Sequence, residues 1–206
     1  MHSDIQQALL SAIEQHNIDL VYQGQNALPC QKLVGVEALC RIAAGPWGKF
    51  SPEEFIPVAE QTNLIAPLER LVFAQLARDL PLLRKQHPDI RVGVNLSIRH
   101  ITAPDFLPFI HGWLDALPAA TITHLDFEIT ETYFQRISHT VIEGLQALRA
   151  RGVRIVMDDF GSGQSSLSRL HTLPFDVIKL DKQFAQQIEH PMVYAIIKAA
   201  VAFTQE

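Results

Sequence analysis

The chain has 206 residues and a formal net charge of −5, and 48% of its residues are hydrophobic. This length and composition predict one globular domain whose core needs no disulfide framework. The acidic balance argues against broad electrostatic binding to a DNA or RNA polymer or to an anionic membrane surface. No uncharged apolar run reaches transmembrane length, and the start of the chain does not resemble a signal peptide. We therefore expect a cytoplasmic module without direct membrane contact, and a membrane anchor in a longer parent protein stays open.

The first third of the chain predicts a helix, a β-hairpin and a second helix. Apolar residues recur at helical spacing over 4–15, and strand-like runs cover 19–28 and 33–42. The short link between these runs predicts that they pair in antiparallel orientation. Ser51, Pro52 and Glu54 form a helix start signal, with serine as the N-cap, proline at the first position and glutamate at the third.

Beyond this region helices and strands alternate along the chain. We predict strands at 91–97, 124–130, 154–159 and 177–181, and helices at 67–85, 105–117, 138–151, 166–173 and 192–203. Such an order implies parallel strands joined by right-handed crossovers. We expect a single α/β domain, in which a (β/α) barrel is favoured over an open doubly wound sheet.

Acidic and amide side chains occur where buried parallel strands should be apolar. In the strand 124–130 one face is apolar, while the other carries Asp126 and Glu128. Barrel active sites form at the carboxyl ends of strands, and the other polar residues at such ends are Glu37, Asn95, Asp158, Asp159 and Asp181. Lys179 and Arg41 supply the positive charge there, so these carboxylates require divalent cations or raised pKa values. An all-oxygen donor set favours Mg²⁺ or Mn²⁺ over zinc.

Asp158 and Asp159 are adjacent, and neighbours in a regular strand point to opposite faces. Both can serve one centre only if the backbone turns there, which the glycines of the following loop permit. Two such aspartates could contact two metal ions, an arrangement that suits in-line displacement at phosphorus. Other interpretations stay open at this point, because acidic residues also cap helices and form turns, and Lys179 could pair with Asp181.

Six ordered blocks of the sequence resemble the EAL-domain cyclic di-GMP phosphodiesterases. They are Glu37-Ala-Leu-x-Arg41, Phe55-Ile-Pro-Val-Ala-Glu60, Asn95-Leu-Ser97, Glu128-Ile-Thr-Glu131, Asp158-Asp-Phe-Gly161 with Ser165-Ser-Leu167, and Lys179-Leu-Asp181. The resemblance implies an EAL domain over residues 1–206 with a modified (β/α)8 TIM-like barrel and an antiparallel first strand. It also implies that strands seven and eight, with a further catalytic carboxylate block, are not present in this chain, so that the barrel is truncated after the sixth strand and its helix.

The same resemblance implies a metal-dependent activity. Its metal ligands would be Glu37, Asn95, Glu128, Asp158 and Asp159, with Asp159 at the second ion of a two-metal site. The implied metal is Mg²⁺ or Mn²⁺. The implied reaction hydrolyses one phosphodiester bond of cyclic di-GMP and yields linear pGpG, in bacterial second-messenger signalling.

Catalytic and substrate-binding roles also follow from the resemblance. Lys179 would hold the attacking water, Glu131 would brace the loop 158–164, and Asp181 would support the site. Substrate contacts would come from Gln23, Leu39 and Arg41, and Arg41 would contact a phosphate of the substrate.

Two departures from the family pattern leave other functions open. The family's Tyr-Gln-Pro is Tyr22-Gln23-Gly24 here, and its Thr-Gly-Tyr is Ser162-Gly163-Gln164. The second segment is linked in the family to dimerisation and metal binding, so a homodimer with altered regulation is an expected assembly. A catalytically inactive cyclic di-GMP receptor and a protein-interaction module are the alternative functions.

Overall fold

The computed structural model describes residues 2–28, 30–43, 50–131, 137–161 and 174–203. Its strands are β1 (Ile18–Asn26), β2 (Leu33–Ile42), β3 (Arg91–Asn95), β4 (Leu125–Thr130), β5 (Arg154–Phe160) and β6 (Val177–Leu180). The helices within these ranges are α1 (His2–Glu14), α2 (Pro52–Gln61), α3 (Ile65–Gln86), α4 (Ile98–Ile101), α5 (Phe106–Asp115), α6 (Ala119–Ile122), α7 (His139–Ala150), α8 (Lys182–Gln186) and α9 (Pro191–Phe203).

The strands form one sheet whose spatial order follows the chain, from β1 to β6. β1 pairs with β2 in antiparallel orientation, and every later neighbouring pair is parallel. The order of a doubly wound sheet reverses at its centre, whereas barrel strands follow one another in sequence. The predicted α/β fold with an antiparallel first strand is therefore confirmed, and the strand order is that of a barrel.

The apolar core lies between the sheet and the helices packed on it. Leu125, Phe127 and Ile129 alternate along β4 and are fully buried. The ring of Phe127 packs edge-on against Phe73 of α3, with a centroid distance of 5.8 Å. This contact shows that the apolar face of β4 meets the helices, so the other face, with Asp126 and Glu128, lies toward the interior of the curved sheet.

Local capping signals fix the start of α2 and the end of α7. The carboxylate of Glu54 accepts hydrogen bonds from the backbone N–H of Ser51 at 2.8 Å and from its hydroxyl at 3.0 Å. These bonds lower the pKa of Glu54 and fix the start of α2. Gly152 follows α7 with a φ of 97°, a left-handed conformation that glycine adopts without steric cost.

Some element bounds differ from the prediction. β3 ends at Asn95, earlier than predicted, because Ser97 accepts a hydrogen bond from the backbone N–H of Arg99 and starts the short helix α4. The short helices α6 and α8 were not predicted. The predicted helix 166–173 lies outside the described residues. No helix in the described ranges has the length and apolar character needed to cross a membrane.

Asp126 lies at the opposite end of the sheet from the predicted site. It is 4% exposed, and its two carboxylate oxygens bind Arg91 at 2.5 Å and Arg154 at 2.6 Å. Both arginines are the first residues of their strands. The charge of Asp126 is thus balanced by two guanidinium groups at the amino-terminal edge of the sheet.

Candidate metal centre

Three carboxylates from three strands meet at the carboxyl-terminal edge of the sheet. Glu37, Glu128 and Asp158 each place an oxygen atom within 4.8 Å of the other two. The strand register accounts for this meeting, because Asn95 pairs with Glu128 and Thr130 pairs with Asp158. The parallel pairing of β2 with β3 runs over 35–38, so Glu37 also stands near the end of its parallel segment.

Lys179 of β6 joins this cluster. Its ammonium nitrogen donates to Oε2 of Glu37 at 2.8 Å and to Oε2 of Glu128 at 2.5 Å. Burial alone would lower the pKa of Lys179, but the neighbouring carboxylates outweigh burial and raise it. Lys179 is therefore a cation at neutral pH, and its described ion pairs go to these two glutamates rather than to Asp181.

Asn95 approaches Glu37 from the neighbouring strand. Its Nδ2 donates to Oε1 of Glu37 at 2.8 Å, so its amide oxygen can serve as a metal ligand. Glu37 is consequently held by Asn95 on one oxygen and by Lys179 on the other. The carboxylate of Glu128 lies over Gly93, where a Cβ atom would collide with it.

The cluster carries more negative charge than Lys179 balances. Burial raises the pKa of Glu128 to about 7, and the negative charge of Glu37 adds to this effect while Lys179 opposes it. Burial also raises the pKa of Asp158. A hard divalent cation prefers carboxylate and amide oxygens and would relieve this repulsion. The donor set of Glu37, Asn95, Glu128 and Asp158 therefore fits such an ion.

The backbone departs from regular strand geometry at the two adjacent aspartates, which is the condition for both to serve one centre. Asp159 has a φ of 55°, and the pairing of β5 with β6 is irregular between Met157 and Phe160. The backbone N–H of Asp159 donates to Oδ1 of Asp158 at 2.9 Å. Asp159 lies outside the three-carboxylate cluster and is largely exposed. Its partial loss of hydration and the negative charges of Asp158 and Asp181 raise its pKa.

Glu131 and Asp181 hold the backbone on either side of the cluster. Glu131 is 4% exposed, and its Oε2 accepts a hydrogen bond from the N–H of Gly161 at 2.6 Å. Asp181 caps α8 by accepting from the N–H of Gln183 at 2.7 Å. Asp181 is therefore a helix cap, which is one of the alternative roles considered for the acidic residues.

The three predicted substrate residues lie on β1 and β2. Gln23 is exposed and stands opposite Glu37 in the antiparallel pair. Leu39 and Arg41 follow Glu37 on the same face of β2, and both are half-buried. A guanidinium nitrogen of Arg41 donates to the carbonyl of Cys40 at 2.9 Å.

A cavity of about 360 Å³ opens beside the cluster. Asn95 and Asp159 line it on the side of the carboxylate cluster, and Leu39 and Ile56 contribute apolar surface. A further wall is polar and consists of Glu60, Glu69 and Ser97. Pockets with an apolar lining and a few convergent polar groups are the usual form of small-molecule sites.

Glu69 and its partner His100 were not predicted to take part in the site. Both are buried, with exposures of 6% and 0%. A signal was available, since Glu69 lies in the buried stripe of α3 between Ile65 and Val72. A charged residue at such a position predicts a specific polar partner.

Comparison with known proteins identifies the family. A family model described as the EAL domain matches residues 6–206. The chain belongs to the EAL domain family. This confirms the resemblance based on the six sequence blocks.

Curated relatives of this EAL domain include MucR of Pseudomonas aeruginosa, named a bifunctional diguanylate cyclase/cyclic di-GMP phosphodiesterase. The two are 34% identical over 201 residues, which are 94% of this chain and 28% of MucR. PdeG of Escherichia coli, named a probable cyclic di-GMP phosphodiesterase, is 34% identical over 157 residues, 76% of this chain and 31% of PdeG. The EAL domain thus spans less than a third of the length of these relatives.

Solved structures agree with the fold of this EAL domain. The PaMucR phosphodiesterase in complex with c-di-GMP matches it with a TM-score of 0.86 and 32% identity, over 98% of this chain and 82% of that chain. An EAL domain protein from Listeria monocytogenes matches with a TM-score of 0.80 at 22% identity and supports the fold alone.

Proposed function

We propose that this EAL domain is a metal-dependent phosphodiesterase that hydrolyses cyclic di-GMP to linear pGpG. The observation that carries the proposal is the meeting of Glu37, Glu128 and Asp158 around the ammonium group of Lys179. The names of MucR and PdeG, and the c-di-GMP complex of the PaMucR phosphodiesterase, support the choice of substrate.

The metal ligands of the proposed enzyme are oxygen donors. Glu37, Asn95, Glu128 and Asp158 would hold one Mg²⁺ or Mn²⁺ ion, and Asp159 would reach a second ion. The turn at Asp159 supports this division, since it sends two successive carboxylates away from a regular strand geometry. When bound, such ions stabilise negative charge on a phosphate and lower the pKa of water.

Lys179 is proposed to orient the attacking water. An ammonium group has three N–H donors, and two of them are directed at Glu37 and Glu128. The third can bind a water molecule beside the carboxylates. Because its pKa is raised, Lys179 remains a donor at neutral pH and does not act as a general base.

Glu131 and Asp181 are proposed to keep this geometry in place. Glu131 fixes the N–H of Gly161 and with it the backbone that leaves Asp158 and Asp159. Asp181 caps α8 two residues after Lys179, so it anchors the end of β6. Both hold the backbone next to charged site residues and do not themselves take part in the reaction.

Substrate binding is proposed along β2 and in the neighbouring cavity. Leu39 contributes apolar lining to a cavity of about 360 Å³ that opens next to Asn95 and Asp159. A nucleobase is flat and partly apolar, and such a cavity suits it. Arg41 would bind a phosphate of the substrate, because guanidinium groups recognise phosphate through paired hydrogen bonds, and Gln23 would contact the substrate from β1.

The test is turnover of cyclic di-GMP by the full-length protein that contains this domain. With Mg²⁺ or Mn²⁺, chromatography should detect pGpG, and chelation of the metal should stop its formation. Glu37→Gln should abolish turnover without unfolding the domain, whereas the matched change Glu143→Gln on the exposed side of α7 should leave turnover unchanged. Tight binding without cleavage would instead favour a receptor.

A further inference from the structure

A buried polar network lies behind the metal centre, between α3 and the turn that follows β3. The carboxylate of Glu69 is almost fully buried, and its Oε1 accepts a hydrogen bond from the backbone N–H of Ser97 at 2.6 Å. Its Oε2 lies 2.7 Å from Nδ1 of His100. One side chain of α3 therefore holds two points of the segment 97–100.

This segment follows directly from Asn95, a proposed metal ligand. The N–H of Leu96 donates to the carbonyl of Glu128 at 2.8 Å, which ties the end of β3 to β4. The N–H of Ser97, the next one along the chain, has Glu69 as its acceptor. The hydroxyl of Ser97 also donates to Oε1 of Glu60 at 2.6 Å. The backbone that carries Asn95 is therefore held by consecutive hydrogen bonds.

Burying the carboxylate of Glu69 costs free energy, and its hydrogen bonds to the segment 97–100 offset this cost. The surrounding stripe of α3 consists of apolar residues, among them Ile65, Leu68 and Val72. A buried carboxylate loses its hydration, and burial raises the pKa of Glu69 although His100 and the Ser97 N–H oppose the shift. An apolar side chain at this position would avoid that cost but would leave the N–H of Ser97 without this acceptor.

We propose that Glu69 is a positioning residue of the metal centre, which acts through Ser97 and His100 to place the amide of Asn95 beside Glu37. The inference rests on the proposed function in so far as Asn95 binds metal. Residues that orient metal ligands from behind typically change metal affinity by about 10- to 100-fold when they are replaced. Glu69 would act on Asn95 through the backbone of Ser97 rather than by direct contact, so we expect an effect near the lower end of this range.

The test compares Glu69→Leu with Glu69→Gln in the full chain. Leucine suits the apolar stripe and removes both acceptors, whereas glutamine keeps an oxygen for the N–H of Ser97. Titration calorimetry with Mn²⁺ should give an affinity about 10-fold weaker for Glu69→Leu and largely restored for Glu69→Gln. In the metal-free protein, the NMR signals of the Asn95 side-chain amide should shift in the leucine variant alone.

Asp176→Leu, which also removes both carboxylate acceptors, is the matched control. Asp176 also accepts a hydrogen bond from the backbone N–H of a strand residue, Ile155, at 2.9 Å, and pairs with Arg149, but at the amino-terminal edge of the sheet. Its replacement should change neither the Mn²⁺ affinity nor the Asn95 signals. If Glu69→Leu unfolds, Glu69→Met serves the same comparison.

The possible failures are distinguishable. Wild-type affinity and unchanged Asn95 signals in Glu69→Leu would overturn the positioning role while leaving the proposed function intact. A wild-type protein that binds no Mn²⁺ would overturn the proposed function, and the Asn95 signals of the metal-free protein would then decide the positioning role alone.

Discussion

The ammonium nitrogen of Lys179 lies 2.8 Å from Oε2 of Glu37, although their strands stand four positions apart in the sheet. In a flat sheet, strands four positions apart are separated by roughly 19 Å, which is more than the two side chains can span. The sheet must therefore curve strongly, with both side chains on its concave face. This single ion pair links the barrel-like curvature to the charge balance of the candidate metal centre.

Lys179→Met should remove the positive charge without removing the bulk of the side chain. We expect turnover of cyclic di-GMP to fall by about 10²- to 10⁴-fold, because a positioned donor and a stabilising charge are lost together. Lys182→Met, at the exposed start of α8, is the matched control and should retain full turnover. Near-normal turnover by Lys179→Met would contradict the role given to this residue.

The effect of Mn²⁺ on thermal stability should depend on pH. In the folded, metal-free protein the pKa of Glu128 is about 7, above the ordinary value of 4.5, and the pKa of Asp158 is also raised. The stability that protonated Glu128 contributes is full below pH 4.5 and is lost as the pH rises through about 7. Metal binding needs the charged carboxylates, so it becomes stronger over the same interval.

Differential scanning fluorimetry of the full chain at pH 6 and pH 8 checks this expectation. Mn²⁺ should raise the melting temperature more at pH 8 than at pH 6, and the metal-free protein should lose stability between these two values. Glu128→Gln should reduce both differences. Equal increments at the two pH values would show that proton release from the cluster is not coupled to metal binding.

The polar residues that meet in the candidate site could be predicted because their meeting follows from strand geometry. Parallel strands end at one edge of a sheet, so polar residues at their ends must meet there. Glu37, Asn95, Glu128, Asp158 and Lys179 all satisfy this rule, and the structure brings them together. The turn at Asp159 was predictable for a related reason, since two adjacent carboxylates cannot share one face of a regular strand.

The hydrogen bonds that hold the backbone behind the cluster join distant segments and could not be predicted in the same way. The bond between Glu69 and the N–H of Ser97 joins residues that are 28 positions apart, on a helix and on a turn. Local periodicity places Glu69 on the buried stripe of α3 but does not identify its partner. Asp126 is similar, because its two arginines are recognisable only once the strand register is known.

Glu131→Ala should weaken the backbone next to the two aspartates. It removes the acceptor of the Gly161 N–H, and a hydrogen bond typically contributes about 0.5–1.5 kcal/mol to stability. We expect a lower melting temperature and turnover reduced by 10-fold or more, which Glu131→Gln should largely restore because its oxygen can accept the same hydrogen bond. If alanine and glutamine behave alike in both assays, the hydrogen bond to Gly161 does not contribute.

Asp126→Asn should separate stability from metal binding. Asp126 and Glu128 share one face of β4, but Asp126 pairs with Arg91 and Arg154 at the amino-terminal edge. Neutralising a buried partner of two cations costs about 3–5 kcal/mol when the whole group is buried, and the partial exposure of both arginines lowers this to about 2 kcal/mol. Urea denaturation should detect this loss, while the Mn²⁺ affinity measured by calorimetry stays unchanged. A weaker Mn²⁺ affinity in Asp126→Asn would mean that the two ends of β4 are coupled, because no charge of the proposed metal centre is altered by this substitution.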